Sequence, residues 1–244
     1  MIGKYLLLEA RRAFRNKRFL IFTVGMPVLL FLVYVQLYGK SGGLGGVSTT
    51  AYLMTSMAAF GAMVGAMSAG TRIAVERQTG WNRQLRLTPL TPLAYLLGKG
   101  AVAMLIAAPG ILIVYAAGGI VSHVHLTAAQ WLESGLGTWV AILPFAAIGL
   151  VIGYVANPES AQAIFSLCFM ALSLFGGIWV PVEVMPKVMG EIAQVLPSYW
   201  LGLIARGPLT SHGFDWVAIP VLLGWTLVLG LIVSRRYRVD TARA

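Results

Sequence analysis

The stretch Glu76-Arg77-Gln78-Thr79-Gly80-Trp81-Asn82-Arg83-Gln84-Leu85-Arg86-Leu87-Thr88-Pro89-Leu90-Thr91-Pro92 decides how this chain is read, because it is a polar island between two long apolar runs. Those runs, Ala51–Gly70 and Leu97–Val121, are each long enough to cross a hydrocarbon layer of about 30 Å as a helix. The centre of the island can form a short amphipathic helix with Trp81, Leu85 and Leu87 toward one side, and its Thr-Pro steps end it. It offers a surface that a partner can grip.

The rest of the composition agrees with membrane spans on both sides of the island. Of 244 residues, 58% are hydrophobic and 11% charged, with a mean hydropathy of +0.81, against roughly 25% charged in an ordinary soluble domain. The chain is therefore expected to be an all-α membrane protein, a single transmembrane domain over residues 1–244. Its net charge of +10 reflects lysines and arginines retained beside a membrane, and no nucleic-acid partner is expected. Cys168 is the single cysteine, so it has no intrachain disulfide partner, and it reads as a small buried hydrophobe.

Six stretches are apolar enough to span, near Phe19–Tyr38, Ala51–Gly70, Leu97–Val121, Trp131–Val155, Ala161–Pro181 and Trp216–Ser234. Asn157-Pro158-Glu159 marks a turn and a helix start between the fourth and fifth. Lysine and arginine resist translocation, so their distribution sets the orientation. With the N-terminus inside, fifteen of the eighteen basic residues face the cytoplasm, and only Lys40, Lys187 and Arg206 do not. Both termini and the island are then cytoplasmic, in a multi-pass arrangement. Residues 1–18 read as an interfacial amphipathic helix, with Tyr5, Leu6, Leu8 and Phe14 among basic positions. Residues 182–215 form an outer segment that prolines 181, 186, 197 and 208 cut into short pieces, able to dip into the membrane where protein or water surrounds them.

The chain carries little chemistry of its own. Gly39-Lys40-Ser41 resembles a fragment of a phosphate-binding loop, but the position that should hold the first glycine is Tyr34. Glu133 and Glu159 lie near helix ends, where a proton carrier would need them at mid-membrane. His123, His125, His212 and Asp215 lack a third partner at metal or catalytic spacing. No catalytic residue, metal site or cofactor is assigned to this chain. Small residues recur at packing intervals, Gly61 with Gly65 in the second span and Gly149 with Gly153 in the fourth, and these predict close helix approach. Met54, Met57, Met63 and Met67 add flexible apolar surface to the second span, read as packing before substrate contact.

Two groups of residues carry a family resemblance. Glu76-Arg77-Gln78-Thr79-Gly80, then Leu85, Leu87-Thr88-Pro89 and Gly98-Lys99, form the first; Phe175-Gly176-Gly177, Pro181, Met185-Pro186 and Leu196-Pro197-Ser198-Tyr199 form the second. Together with six spans and a basic amphipathic N-terminus, they resemble the permease subunits of bacterial type 2 ATP-binding-cassette (ABC-2) exporters. The pattern departs at Trp81, where the family has threonine after Gly80.

The resemblance implies a division of labour. The island would be a coupling helix docked in a cytoplasmic ATPase, with Glu76, Arg77, Gly80, Trp81, Arg83, Leu85, Arg86, Thr88 and Pro89 as the coupling set. The segment after span five would form re-entrant helices that gate the exit, with Gly177, Pro181, Met185, Pro186, Leu196, Pro197 and Tyr199 as the gate set. Arg77, Arg83 and Arg86 can bond carboxylates of the partner while Trp81 and Leu85 fill a pocket. ATP and Mg would be bound by two separate ATPase subunits, and a second permease, identical or related, would complete the unit in the bacterial cytoplasmic membrane. The expected cargo is an amphipathic or apolar small molecule of the antibiotic or drug type. A lipid or lipid-linked glycan is the runner-up, and a membrane sensor or immunity partner of an ATPase is the alternative of another class.

Overall fold

The 30-residue helix that precedes the island, Thr49–Gln78, organises the fold. The computed structural model describes residues 8, 11, 15, 21–39, 42–44, 47–79, 92–210, 213 and 215–242. The expected interfacial helix at 1–18 and the island residues 80–91 therefore lie, almost entirely and entirely respectively, outside the described residues.

In chain order, a π-helical turn Ile21–Gly25 leads into α1 (Met26–Tyr38), and a hairpin of two-residue strands, β1 (Gly43–Leu44) and β2 (Val47–Ser48), leads into α2 (Thr49–Gln78). Beyond the island come α3 (Pro92–Ile120), α4 (Ala128–Ala141), α5 (Leu143–Val155) and α6 (Pro158–Phe175). A 3-10 turn Val182–Val184 precedes α7 (Lys187–Val195), followed by α8 (Pro197–Arg206), a 3-10 turn Gly207–Leu209 and α9 (Ala218–Ala242). The β-pair is antiparallel, with Gly43 opposite Ser48 and Leu44 opposite Val47.

Five helices among the described residues are long and apolar enough to cross a membrane: Thr49–Gln78, Ala94–Ile120, Ala128–Val155, Pro158–Phe175 and Ala218–Tyr237. The first expected span is described from Ile21: its apolar helix covers Thr23–Tyr38, and the described helical stretch 21–38 makes about 27 Å at 1.5 Å per residue. The fourth span is one crossing with a break at Ile142, where Pro144 supplies no N–H and Phe145 and Ala146 both donate to the Ile142 carbonyl, at 3.0 and 3.1 Å. Capping boxes start α4 at Thr127 with Gln130 and α6 at Asn157 with Ser160, the latter at the expected turn.

Helix α2 is the core. Its apolar window is 83% buried, against 17% for α6 and 22% for α9, so α2 is wrapped by the other helices while α6 and α9 present apolar flanks. Small residues permit that wrapping, one glycine for each neighbour. A Cβ on Gly61 would lie 2.9 Å from Pro27 Cγ of α1, one on Gly65 would lie 3.1 Å from Ala107 Cα of α3, and one on Gly70 would run into the Gly149 backbone of α5 at 2.1 Å. Gly149 and Gly153 repeat the contact from the other side, against the Met67 and Gly70 carbonyls. Met54, Met57, Met63 and Met67 are all buried in this packing.

Candidate functional site

Two polar clusters lie at opposite ends of α2. One is at the end where the chain enters and leaves the island; the other is near the β-hairpin.

At the island end, Glu76 occupies the last turn of α2, and the hairpin formed by α2 and α3 brings Lys99 across to it. Lys99 Nζ donates to Glu76 Oε1 at 2.7 Å, and both side chains are buried. Tyr95, one turn earlier on α3, donates its hydroxyl to Glu76 Oε2 at 3.3 Å, and the Lys99 ammonium lies 5.6 Å from its ring centroid. The carboxylate thus has a donor on each oxygen, which is the condition for a buried ion pair to hold together. Tyr237 of α9 packs between Tyr95 and Tyr154, with ring centroids 5.9 and 6.0 Å away. Ile73, Leu150 and Val233 complete an apolar cluster around these rings.

The next residue faces elsewhere. Arg77 Nη1 donates to the carbonyls of Tyr154 at 2.8 Å and Gly153 at 3.3 Å, the last turn of α5, with its guanidinium 5.7 Å from the Tyr154 ring centroid. Cations are stabilised at a helix C-terminus by its unpaired carbonyls and its dipole. The Arg77 side chain ties α2 to α5. Of the expected coupling set, the structure brings Glu76 and Arg77 to the root of the island. Gly80, Trp81, Arg83, Leu85, Arg86, Thr88 and Pro89 lie outside the described residues.

At the hairpin end, the chain leaves α6 through Gly176-Gly177. A side chain on Gly176 would overlap Ser198 Oγ, and Gly177 takes a left-handed φ of +78°, which favours glycine. Each proline of the following segment begins an element: Pro181 flanks the 3-10 turn, Pro186 precedes α7, Pro197 opens α8, and Pro208 sits in the last 3-10 turn. The pair α7 and α8 bends by 90° at Leu196-Pro197, a broken span or re-entrant loop in form. Met185 and Leu196 are half-buried, Pro186 is exposed, and Tyr199 packs edge-on against Trp200 at 5.2 Å.

Arg206 ends α8 and points into the protein. It is buried, its Nη1 donates to Ser56 Oγ at 3.2 Å, and its guanidinium lies 4.5 Å from the Tyr52 ring centroid, both partners being on α2. The Tyr52 hydroxyl reaches the Gly177 carbonyl at 3.5 Å. Gly202 leaves room for the guanidinium, since a Cβ there would sit 2.6 Å from Arg206 Nη2.

Sequence reading passed over Tyr95, Tyr154, Tyr237, Tyr52 and the inward aim of Arg206. The signals were present in two cases. Glu76 and Lys99 are residues of opposite charge on either side of the island, and Arg206 was one of three basic residues on the wrong side of the charge count. The tyrosines look like ordinary interfacial aromatics until tertiary packing joins them.

Comparison with known proteins agrees over nearly the whole length. The family described as ABC-2 type transporter matches residues 6–208. A Bacillus subtilis (strain 168) protein named "Putative transport permease YvfS" is 31% identical over 239 residues, covering 98% of this chain and 97% of its own.

Proposed function

Since the chain belongs to the ABC-2 type transporter family, as a multi-pass membrane permease that associates with ATPase subunits, we propose that it is the membrane half of an ATP-driven exporter worked through the island at 76–92. The observation that carries this reading is the Glu76–Lys99 pair at 2.7 Å. It clamps together the two stems from which the island projects, so a force on the island is delivered to α2 and α3 together. Through Tyr237 and Arg77 the same root reaches α9 and α5. Because α2 contacts most of the other helices, moving its end moves the bundle.

In this account the island and both termini face the cytoplasm, and two separate ATPase subunits hydrolyse ATP and hold its Mg. Trp81 and Leu85 fill a groove in the ATPase while Arg83 and Arg86 pair with its carboxylates. A second permease, identical or related, covers the apolar flank of α6, where Ile164, Leu167 and Met170 are exposed. The bent α7 and α8 pair, with Gly177, Pro181, Met185, Pro186, Leu196, Pro197 and Tyr199, gates the exit. The cargo is an amphipathic or apolar small molecule of the antibiotic or drug type, moved out of the cytoplasm or inner leaflet of a bacterial cytoplasmic membrane.

Inverted membrane vesicles containing the chain and its ATPase test the reading. Candidate cargo is expected to accumulate inside only with ATP and to stimulate its hydrolysis. Stimulated hydrolysis without accumulation contradicts export and favours a sensor of the same assembly.

A further inference from the structure

A cavity of about 460 Å³ opens at the hairpin end between α1, the β-hairpin, α2 and the turn after α6, well separated along α2 from the root of the island. That volume falls in the range of pockets that take drug-sized molecules. Four aromatic side chains line it, Tyr34 and Tyr38 from α1, Tyr52 from α2 and Trp179 from the turn, with Met57 supplying flexible apolar surface. Three of them are placed by other rings. Tyr34 and Tyr38 stand edge to face at 6.3 Å, and Trp179 leans on Phe60 at 5.9 Å, which in turn packs on Phe169 at 5.0 Å.

The polar features narrow the ligand. Neither the Tyr34 nor the Tyr38 hydroxyl has a hydrogen-bond partner among the described residues, so two phenols are available to a ligand oxygen or nitrogen. An aromatic cage ordinarily invites a cation. Here the Arg206 guanidinium already lies against Tyr52, 4.5 Å from its centroid, and places positive charge behind one wall of the cavity. That ring face is already taken, so a ligand cation could not use it as a cage wall. We infer that this cavity is a binding site for an uncharged planar aromatic amphiphile, stacked between Tyr38 and Trp179 and hydrogen-bonded by the phenols of α1. The inference does not depend on the direction of transport or on the ATPase.

Nile red, an uncharged planar dye, and Nile blue, its cationic counterpart on the same ring skeleton, provide the test in nanodiscs containing the full chain, with protein-free nanodiscs as the baseline. Saturable Nile red emission above that baseline is expected, with Nile blue binding about tenfold more weakly. Tyr38 and Trp179 are 54% and 37% exposed, so truncating them leaves the core intact. Trp179→Ala and Tyr38→Ala should each weaken Nile red binding about tenfold, and Tyr38→Phe should restore most of the loss by returning the ring. Leu53→Trp, which fills the cavity from α2, should abolish saturation in protein that remains monodisperse. Emission that rises without saturating, that is unchanged in the alanine variants, or that is at least as strong for Nile blue, overturns the assignment.

Discussion

At the island end of α2, Lys99 meets a carboxylate at 2.7 Å, whereas at the hairpin end Arg206 rests on the ring of Tyr52 at 4.5 Å with Ser56 as its hydrogen-bond partner. Both cations are buried, and they are held by different means. The ion pair is strong and specific in geometry: removing one partner leaves a buried charge, and the root of the island tolerates little rearrangement. A cation held by a ring face and a hydroxyl keeps its position with weaker, less directional contacts. The contrast fits a molecule driven from one end and opened at the other, with a stiff root for the island and a looser latch between α8 and α2.

The largest expected effect tests the stiff end. Glu76→Leu or Lys99→Met alone should lower stability by about 3–5 kcal/mol, because each leaves its partner charged and uncompensated. The double variant should lose much less than the sum, a recovery readable as detergent-denaturation midpoints of the purified protein. Additive losses would mean that the two residues do not act as a pair.

Arg206→Gln comes next, with an expected cost of about 2 kcal/mol from the lost ring contact and charged hydrogen bond. In a double-mutant cycle, Arg206→Gln and Tyr52→Leu should couple; independence of the two would remove the latch from the account. The smallest effect belongs to Tyr95→Phe. Its hydroxyl lies 3.3 Å from Glu76 Oε2, and losing it should cost about 1 kcal/mol or less while the ring contact with Tyr237 remains. A loss as large as that of Lys99→Met would make Tyr95 a full partner of the carboxylate.

Much of the fold is legible in the sequence because hydrocarbon thickness and backbone hydrogen bonding leave a spanning segment few choices. Pro186 and Pro197 mark where the re-entrant pieces begin, and Asn157-Pro158 marks the start of α6, because a proline fixes a boundary locally. Boundaries set by tertiary packing were harder. The fifth span, α6, stops at Phe175, six residues before the expected Pro181, because Gly176-Gly177 turn the chain. The candidate site divides the same way. Glu76 was visible as part of a motif, but its ties to Lys99 and Tyr95, and the turn of Arg77 toward α5, depend on how distant segments meet.

The central claim is that the island is gripped by an ATPase while Glu76 and Lys99 hold its root. A photo-crosslinking amino acid at Trp81, introduced into the chain in cells that also produce the partner ATPase, tests it most directly. Irradiation should yield an adduct whose peptides derive from the ATPase, with the same probe at Tyr38, beyond the hairpin end, giving none. Adducts of Trp81 with lipid alone would contradict the account and leave the island a headgroup-bound loop.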